Sequence, residues 1–92
     1  MNGIAIRHDA QRQRFETEVE GHAARLEYHL KGDVLVIVHT GVPEAIGGRG
    51  IAGKLVQAAV DFAQAHGLKI DPRCAYAEAW MRRHPQYDDL RA

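Results

Sequence analysis

Residues 34–55 read VLVIVHTGVPEAIGGRGIAGKL, and this stretch decides the fold of the chain. The run Val34–Val38 is apolar at every position and rich in β-branched residues, which predicts a strand inside a sheet that is buried on both faces. From Ile51 to His66, apolar residues recur every three or four positions, which predicts an amphipathic helix that stops at Gly67. A strand, a glycine-rich loop and a helix predict a crossover to a parallel strand, for which Leu68–Ile70 is the candidate.

Alternating patterns surround this unit. Residues 4–7, 15–20 and 25–30 alternate apolar and polar side chains, which predicts three half-exposed strands joined by turns, the first of them at residues 8–11. The third strand is expected to pair antiparallel with the second. Residues 75–83 predict a second helix. The expected fold class is therefore α+β, a mostly antiparallel sheet of about five strands with a βαβ unit and a C-terminal helix.

Length and composition limit the function. The chain has 92 residues, which predicts a single domain over 1–92. Twelve Lys and Arg balance 12 Asp and Glu, so the net charge gives no reason to expect binding to nucleic acid or to an anionic membrane. The longest apolar run cannot span a bilayer and residues 1–7 lack the pattern of a signal peptide, so a cytoplasmic location is predicted. The histidines and the one cysteine show no metal-ligand spacing, so no metal site is predicted.

The glycine-rich loop before the first helix predicts a phosphate site. Glycines let the backbone approach a ligand closely, and a helix that starts near Gly50 directs unpaired N–H groups into the loop. Arg49 and, less directly, Lys54 add positive charge. The alternative interpretation is a flexible glycine connection with a solvated arginine.

Two familiar phosphate-binding motifs nearly match the loop. Residues 48–53 satisfy G-x-G-x-x-G, and Asp71 closes the next strand where a dinucleotide fold places a ribose-binding acid. However, nine residues separate Val38 from Gly48, whereas the dinucleotide turn begins at the strand end. Residues 48–54 satisfy G-x-x-x-x-G-K, but Leu55 stands where a P-loop needs Ser or Thr for magnesium. Dinucleotide binding stays the weaker alternative, and standard nucleotide hydrolysis is excluded.

A longer set of motifs resembles one family. His39-Thr40 leads into the loop, Gly67-Leu-Lys69 leads into the next strand, and Pro72-Arg-Cys74-Ala-Tyr76 precedes a helix followed by His84-Pro85-Gln-Tyr87. Together they resemble the small, single-domain branch of the Gcn5-related N-acetyltransferases (GNAT superfamily), over His39 to Tyr87. The resemblance implies a minimal GNAT-like fold, acetyl-CoA or CoA as cofactor, and an amine acceptor of unknown identity, either a small molecule or a protein segment.

The resemblance also implies which residues hold the cofactor. Backbone amides of the loop would wrap the CoA pyrophosphate, and the backbone of two residues before it would bond the pantetheine arm where strands four and five splay apart. The implied cofactor-binding residues are Thr40, Val42, Gly47, Gly48, Arg49, Gly50, Ile51, Ala52 and Gly53. Two positions depart from the family: Gly47 replaces the usual Arg or Gln that begins the phosphate signature, and Gly41 replaces a frequent Glu.

Three side chains are candidates for chemistry. Cys74 follows the fifth strand and either accepts the acetyl group or packs as an inert thiol. Tyr76 either protonates the leaving CoA thiolate or anchors packing. His39 either acts as a base or closes its strand as a satisfied histidine. The leading hypothesis is an acetyltransferase, and the alternative is a non-catalytic module that binds CoA or docks to a partner.

Overall fold

The computed structural model describes residues 4–92 and contains one five-stranded sheet in the order β1-β2-β3-β4-β5. Neighbouring strands are antiparallel except β4 and β5, which are parallel and are joined through the helix α1. The predicted α+β class and the parallel crossover are therefore confirmed. The elements are β1 Arg7–Asp9, β2 Arg14–Val19, β3 His22–Lys31, β4 Val34–Gly41, α1 Ile51–Ala65, β5 Lys69–Pro72 and α2 Ala75–Arg82, with short 3-10 turns at Glu44–Ile46 and Pro85–Leu90.

The core lies between one face of the sheet and the helix α1. Leu35 and Ile37 of β4 are fully buried, and their side chains lie on the same sheet face as those of Leu26 and Tyr28 of β3. The apolar stripe of α1 covers this face because its residues recur at helical spacing. Its buried residues are Ile51, Leu55, Val56, Ala59, Val60 and Ala63.

The prediction that β4 is buried on both faces is wrong. Val34 and Val36 are only partly covered, and Val38 is 37% exposed. The physical reason is that, within residues 4–92, α2 lies beside α1, with Nε1 of Trp80 3.5 Å from the position that a Cβ of Gly53 would occupy. Both helices therefore cover the same side of the sheet, and within residues 4–92 no helix covers the other side, where Val36 and Val38 lie.

The first strand lies three residues later than predicted. The strand β1 is Arg7–Asp9, and Ile4 and Ile6 precede it as partly buried residues packed on the core. His8 decides this register because its ring stacks on Phe15 of β2 with 4.2 Å between ring centroids. Its Nε2 atom also hydrogen-bonds the hydroxyl of a buried β3 tyrosine. An imidazole thus occupies the core-facing position that the pattern assigned to a turn.

The ends of the helices agree with the sequence. Gly67 adopts a left-handed φ of +68° just beyond α1, and the backbone N–H of Leu68 returns to the carbonyl of Ala63 at 2.8 Å. The helix α2 ends at Arg82, before Pro85. Between residues 4 and 92, neither helix is long and apolar enough to cross a membrane.

Candidate active site

A cleft of about 240 Å³ lies at the N-terminal end of α1. No lining residue carries a charged side chain, so apolar side chains and glycine backbone form its walls. Six of the eight lining residues are predicted cofactor-binding residues, and Tyr76 is a predicted catalytic one. The lining residues are Val42, Ile46, Gly47, Gly48, Gly50, Ile51, Ala52 and Tyr76.

The loop that borders the cleft takes its shape from two left-handed glycines. Gly48 has φ +76° and Gly50 has φ +75°, a region that residues with a Cβ enter only at a cost. The buried side chain of Ile46 anchors the start of the loop to the core. Gly50 is the N-cap of α1 and has no side chain with which to cap it, and Gly50, Ile51 and Ala52 at this end of the helix line the cleft. This arrangement suits an anion.

The strands β4 and β5 separate beside the cleft. Their pairing ends at Ile37 and Pro72, where the Ile37 carbonyl accepts hydrogen bonds from the backbone N–H groups of Arg73 at 2.9 Å and Cys74 at 3.1 Å. The strand β4 then continues to Gly41. Among residues 4–92, no strand pairs with residues 38–41 on the β5 side. An extended ligand can therefore lie along this part of β4.

A bulge at Val38 decides which side chains face the helices. Tyr28 pairs with Ile37, but the preceding residue Glu27 pairs with His39, so Val38 is the extra residue of β4. The alternation of side chains is thereby reversed. Thr40 comes to the same face as the buried Leu26, its partner in β3, and His39 comes to the opposite face.

Thr40 and Cys74 meet at the inner end of this gap. The Thr40 Oγ1 atom is 3.3 Å from the Cys74 Sγ atom, and either can be the donor. Cys74 is also the N-cap of α2, because its sulfur accepts a hydrogen bond from the backbone N–H of Ala77 at 3.3 Å. The thiol is free and partly buried. The structure thus brings a predicted binding residue and a predicted catalytic residue into contact.

Gly53 is explained by packing between the two helices. A Cβ atom there would lie 3.3 Å from the hydroxyl of Tyr76 and 3.5 Å from Nε1 of Trp80. The close approach of α2 to α1 therefore requires a small residue at this position. It also holds Tyr76, which is 37% exposed, at the wall of the cleft.

His39 is exposed and lies on the sheet face opposite the helices. Its Nε2 atom would be 3.0 Å from a Cβ at Gly41, so the imidazole fills the space that a side chain at 41 would need. The structure therefore does not bring His39 together with the thiol of Cys74. Gly41 is the position where the resemblance leads one to expect Glu, and the imidazole stands in its place.

Arg49 is directed away from the cleft. Its guanidinium donates two hydrogen bonds to the carboxylate of Glu20, at 2.9 and 3.0 Å, in the turn between β2 and β3. These bonds lower the pKa of Glu20 and raise that of Arg49, and both side chains are exposed. The sequence predicted a phosphate contact here and did not anticipate an ion pair across 29 positions.

Two residues of the site were missed from the sequence. Ile46 lines the cleft, and the sequence feature that could have identified it is an isolated apolar residue within the glycine-rich loop. Trp80 supports the wall behind Gly53, and its helical spacing from Tyr76 was the available signal. Within the described range 4–92, no three His, Cys, Asp or Glu side chains converge as metal ligands would.

Comparisons with known proteins identify the family and the fold. A family model described as GCN5-related N-acetyl-transferase matches residues 14–90. Protein NATD1 of Mus musculus is 38% identical over 85 residues, which cover 89% of this chain and 77% of the mouse protein. Protein NATD1 of Homo sapiens is 36% identical, with 89% of this chain and 75% of the human protein covered.

A solved structure is similar as well. The NMR solution structure of a GCN5-like protein from Staphylococcus aureus superposes with a TM-score of 0.78 at 28% identity. The match covers all of this chain and 91% of the other. Because the family model spans most of the chain and the fold agrees over its whole length, this chain belongs to the GCN5-related N-acetyltransferase family.

Proposed function

We propose that this protein binds acetyl-CoA and transfers the acetyl group to an amine. The observation that carries the proposal is the cleft at the N-terminus of α1, which is bordered by Gly48 and Gly50 and leads to the unpaired part of β4. The end of the helix suits the phosphate groups of such a cofactor, and the unpaired part of β4 suits its extended arm. At about 240 Å³ the cleft is smaller than the roughly 300–1,000 Å³ of typical small-molecule sites, so most of the cofactor would lie on the surface.

The proposed phosphate site uses main chain. The N–H groups at the start of α1 have no capping side chain, and the helix dipole favours negative charge at that end. The two left-handed glycines turn the loop so that no Cβ stands between backbone and ligand. The cofactor's pyrophosphate would therefore lie over residues 47–53.

The proposed pantetheine site is the free edge of β4. The backbone at Thr40 and Val42 would hydrogen-bond the amides of the arm, as another strand would. This places the thioester near the end of the β4–β5 pairing, where Thr40 and Cys74 are 3.3 Å apart. The apolar side chains of Val42 and Ile51 line the approach.

The proposed chemistry is a direct transfer. The amine nitrogen attacks the thioester carbonyl carbon, the C–S bond breaks, and the nitrogen loses its proton to a base. The CoA thiolate takes a proton, for which the hydroxyl of Tyr76 is available at the cleft wall. An amine that enters through the uncovered sheet face meets His39, whose exposed imidazole is the candidate base on that side.

A covalent route differs by one step. The thiol of Cys74 attacks the same carbonyl carbon, its proton passes to the departing CoA thiolate, and the acetyl group is held as an acetyl-cysteine thioester until an amine displaces it. Thioester exchange changes no bond type, so it needs no co-reactant. In support of this route, the sulfur of Cys74 lies 3.3 Å from Thr40 Oγ1, beyond the end of the β4–β5 pairing.

Mass spectrometry of the protein incubated with acetyl-CoA tests these proposals together. Native spectra report bound cofactor, and denaturing spectra report acetyl groups attached to the chain. We expect bound CoA in the wild-type protein, and for the covalent route an acetyl group that is absent from Cys74→Ser. Serine is a good helix N-cap, so this variant keeps the hydrogen bond to Ala77.

The same measurement, repeated with an added amine, separates the enzyme from a non-catalytic CoA-binding module. Gly41, which lacks the expected carboxylate, is the observation that favours the module. Such a module would show bound CoA without acetyl transfer to the chain or release of free CoA from acetyl-CoA. Calorimetric titration that finds no heat with CoA, or tighter binding of NAD, would contradict both.

A further inference from the structure

An ion pair between Glu20 and Arg49 connects the turn between β2 and β3 to the glycine-rich loop before α1. Glu20 has φ +52° and Gly21 has φ +80°, so this is a tight turn of fixed shape. The carboxylate of Glu20 accepts both hydrogen bonds of the Arg49 fork, at 2.9 and 3.0 Å. It is the contact by which the predicted cationic residue of the loop is held away from the cleft.

The position of Arg49 makes its partner important. Arg49 stands between Gly48 and Gly50, both of which line the cleft, while its own side chain does not. A guanidinium binds phosphate with the same two-point geometry that it uses for a carboxylate. An anion in the cleft and the carboxylate of Glu20 are therefore alternative partners of one side chain.

The charge of Glu20 opposes an anionic ligand in two ways. It occupies the guanidinium, and it adds a negative charge next to a loop whose backbone attracts anions. The hydrogen bonds from Arg49 lower the pKa of Glu20, so the carboxylate is ionised at neutral pH. His22, also in this turn region, contributes a smaller lowering of the same pKa.

We propose that Glu20 competes with the phosphates of CoA for Arg49 and thereby lowers the affinity of the cleft for the cofactor. This inference rests on the proposed function. Both side chains are exposed, with relative side-chain exposures of 42% for Arg49 and 64% for Glu20. Exposed pairs of this kind contribute little to stability, so the exchange of partners requires no rearrangement of the core. Glu20 is thus a determinant of cofactor affinity that lies outside the cleft.

Isothermal titration of the full chain with CoA tests the proposal. Glu20→Gln removes the charge and keeps the shape of the side chain, and Glu18→Gln is the matched control. Glu18 is an exposed carboxylate of β2 whose net-charge change is identical. At low ionic strength we expect Glu20→Gln to tighten CoA binding about threefold to tenfold and Glu18→Gln to change it less than twofold.

Two further measurements assign the effect to Arg49. Arg49→Ala should weaken CoA binding more in the Glu20→Gln background than in the wild-type protein, because Arg49 is then free for phosphate. The increase in CoA affinity caused by Glu20→Gln should also be smaller at about 1 M salt, where the electrostatic screening length is about 3 Å, than at about 0.1 M salt, where it is about 10 Å.

The outcomes are distinct. Unchanged CoA affinity in Glu20→Gln would overturn the competition, and weaker binding would show that the ion pair holds the loop in its binding shape instead. A wild-type protein that binds no CoA would overturn the proposed function and this inference together. Wild-type binding without a Glu20 effect would overturn this inference alone.

Discussion

The left-handed backbone at Gly50 makes a quantitative prediction. Gly50 has φ +75° and caps α1, and no atom of residues 4–92 lies within 4 Å of the position where its Cβ would be. Gly50→Ala therefore introduces backbone strain without crowding. Gly32, in the turn between β3 and β4, offers a matched control, because it has φ +61°, lies outside the cleft, and has no atom of residues 4–92 within 4 Å of its Cβ position.

The magnitude follows from two opposing effects. An L-residue in the left-handed region costs about 1–2 kcal/mol. Alanine also restricts the unfolded chain, which returns about 0.4–1 kcal/mol. We expect each alanine variant to lower the free energy of unfolding by a net of about 0.8 kcal/mol, the difference between the midpoints of these two ranges. For a chain of this size each kcal/mol corresponds to a fall in Tm of about 4–8 °C.

Urea unfolding followed by tryptophan fluorescence measures the stability effect. Trp80, the one tryptophan of the chain, is 4% exposed and reports the loss of the core. The two variants should agree in stability and differ in ligand binding. CoA affinity should fall at least about tenfold, or ~1.4 kcal/mol, for Gly50→Ala and stay unchanged for Gly32→Ala.

Two results would refute this reasoning. A Gly50→Ala variant as stable as the wild-type protein would mean that the loop adopts another φ at no cost. A variant that keeps full CoA affinity would mean that the left-handed turn is not part of the phosphate site. Arg49→Ala should weaken CoA binding less than Gly50→Val, since Arg49 is already paired with Glu20; the reverse order would assign the site to the side chain.

Three further perturbations test the packing around the site and the core. Partial burial of the His8 ring lowers its pKa below 6.5, although the negative charge of Asp9 opposes this shift and His66 adds a smaller lowering. The unfolded chain therefore binds the proton first, and stability falls as pH drops below about 6.5. His8→Gln should flatten the urea midpoint between about pH 5 and 7.5; an unchanged slope would exclude His8 as its source. Gly53→Ala gains up to about 1 kcal/mol of helix propensity but meets the Tyr76 hydroxyl at 3.3 Å, so a double-mutant cycle should find it more favourable in Tyr76→Phe. Additive effects would show that the hydroxyl moves aside freely. Cys74→Ala should be less stable than Cys74→Ser by about 0.5–2 kcal/mol, because only serine can accept the Ala77 N–H; equal thermal midpoints would mean that the cap contributes nothing.

Local patterns were sufficient for most of the secondary structure. The helix over residues 51–65 was predicted within one residue, because a 15-residue amphipathic stripe followed by glycine has few other folds. The strand at residues 34–38 and its parallel partner followed from an apolar β-branched run and the intervening helix. The glycine loop marked the cleft, since glycines at φ +75° and +76° border it.

Contacts between distant residues were beyond those patterns. The bulge at Val38 depends on how β3 pairs with β4, and it alone decides that Thr40 faces the helices and His39 does not. The burial of β4 was overestimated because a residue pattern does not show on which side the second helix packs. The first strand was misplaced because the stacking of His8 on a β2 ring requires the sheet to exist.

The sequence by itself determined the elements, their order and the loop that borders the cleft, because these depend on residues close together in the chain. Only the tertiary structure decided which side chains meet there. Thr40 and Cys74 are 34 positions apart and touch, whereas Arg49 turns from the cleft to a carboxylate 29 positions away. Such contacts depend on strand register and helix placement, which the packing of the whole core sets.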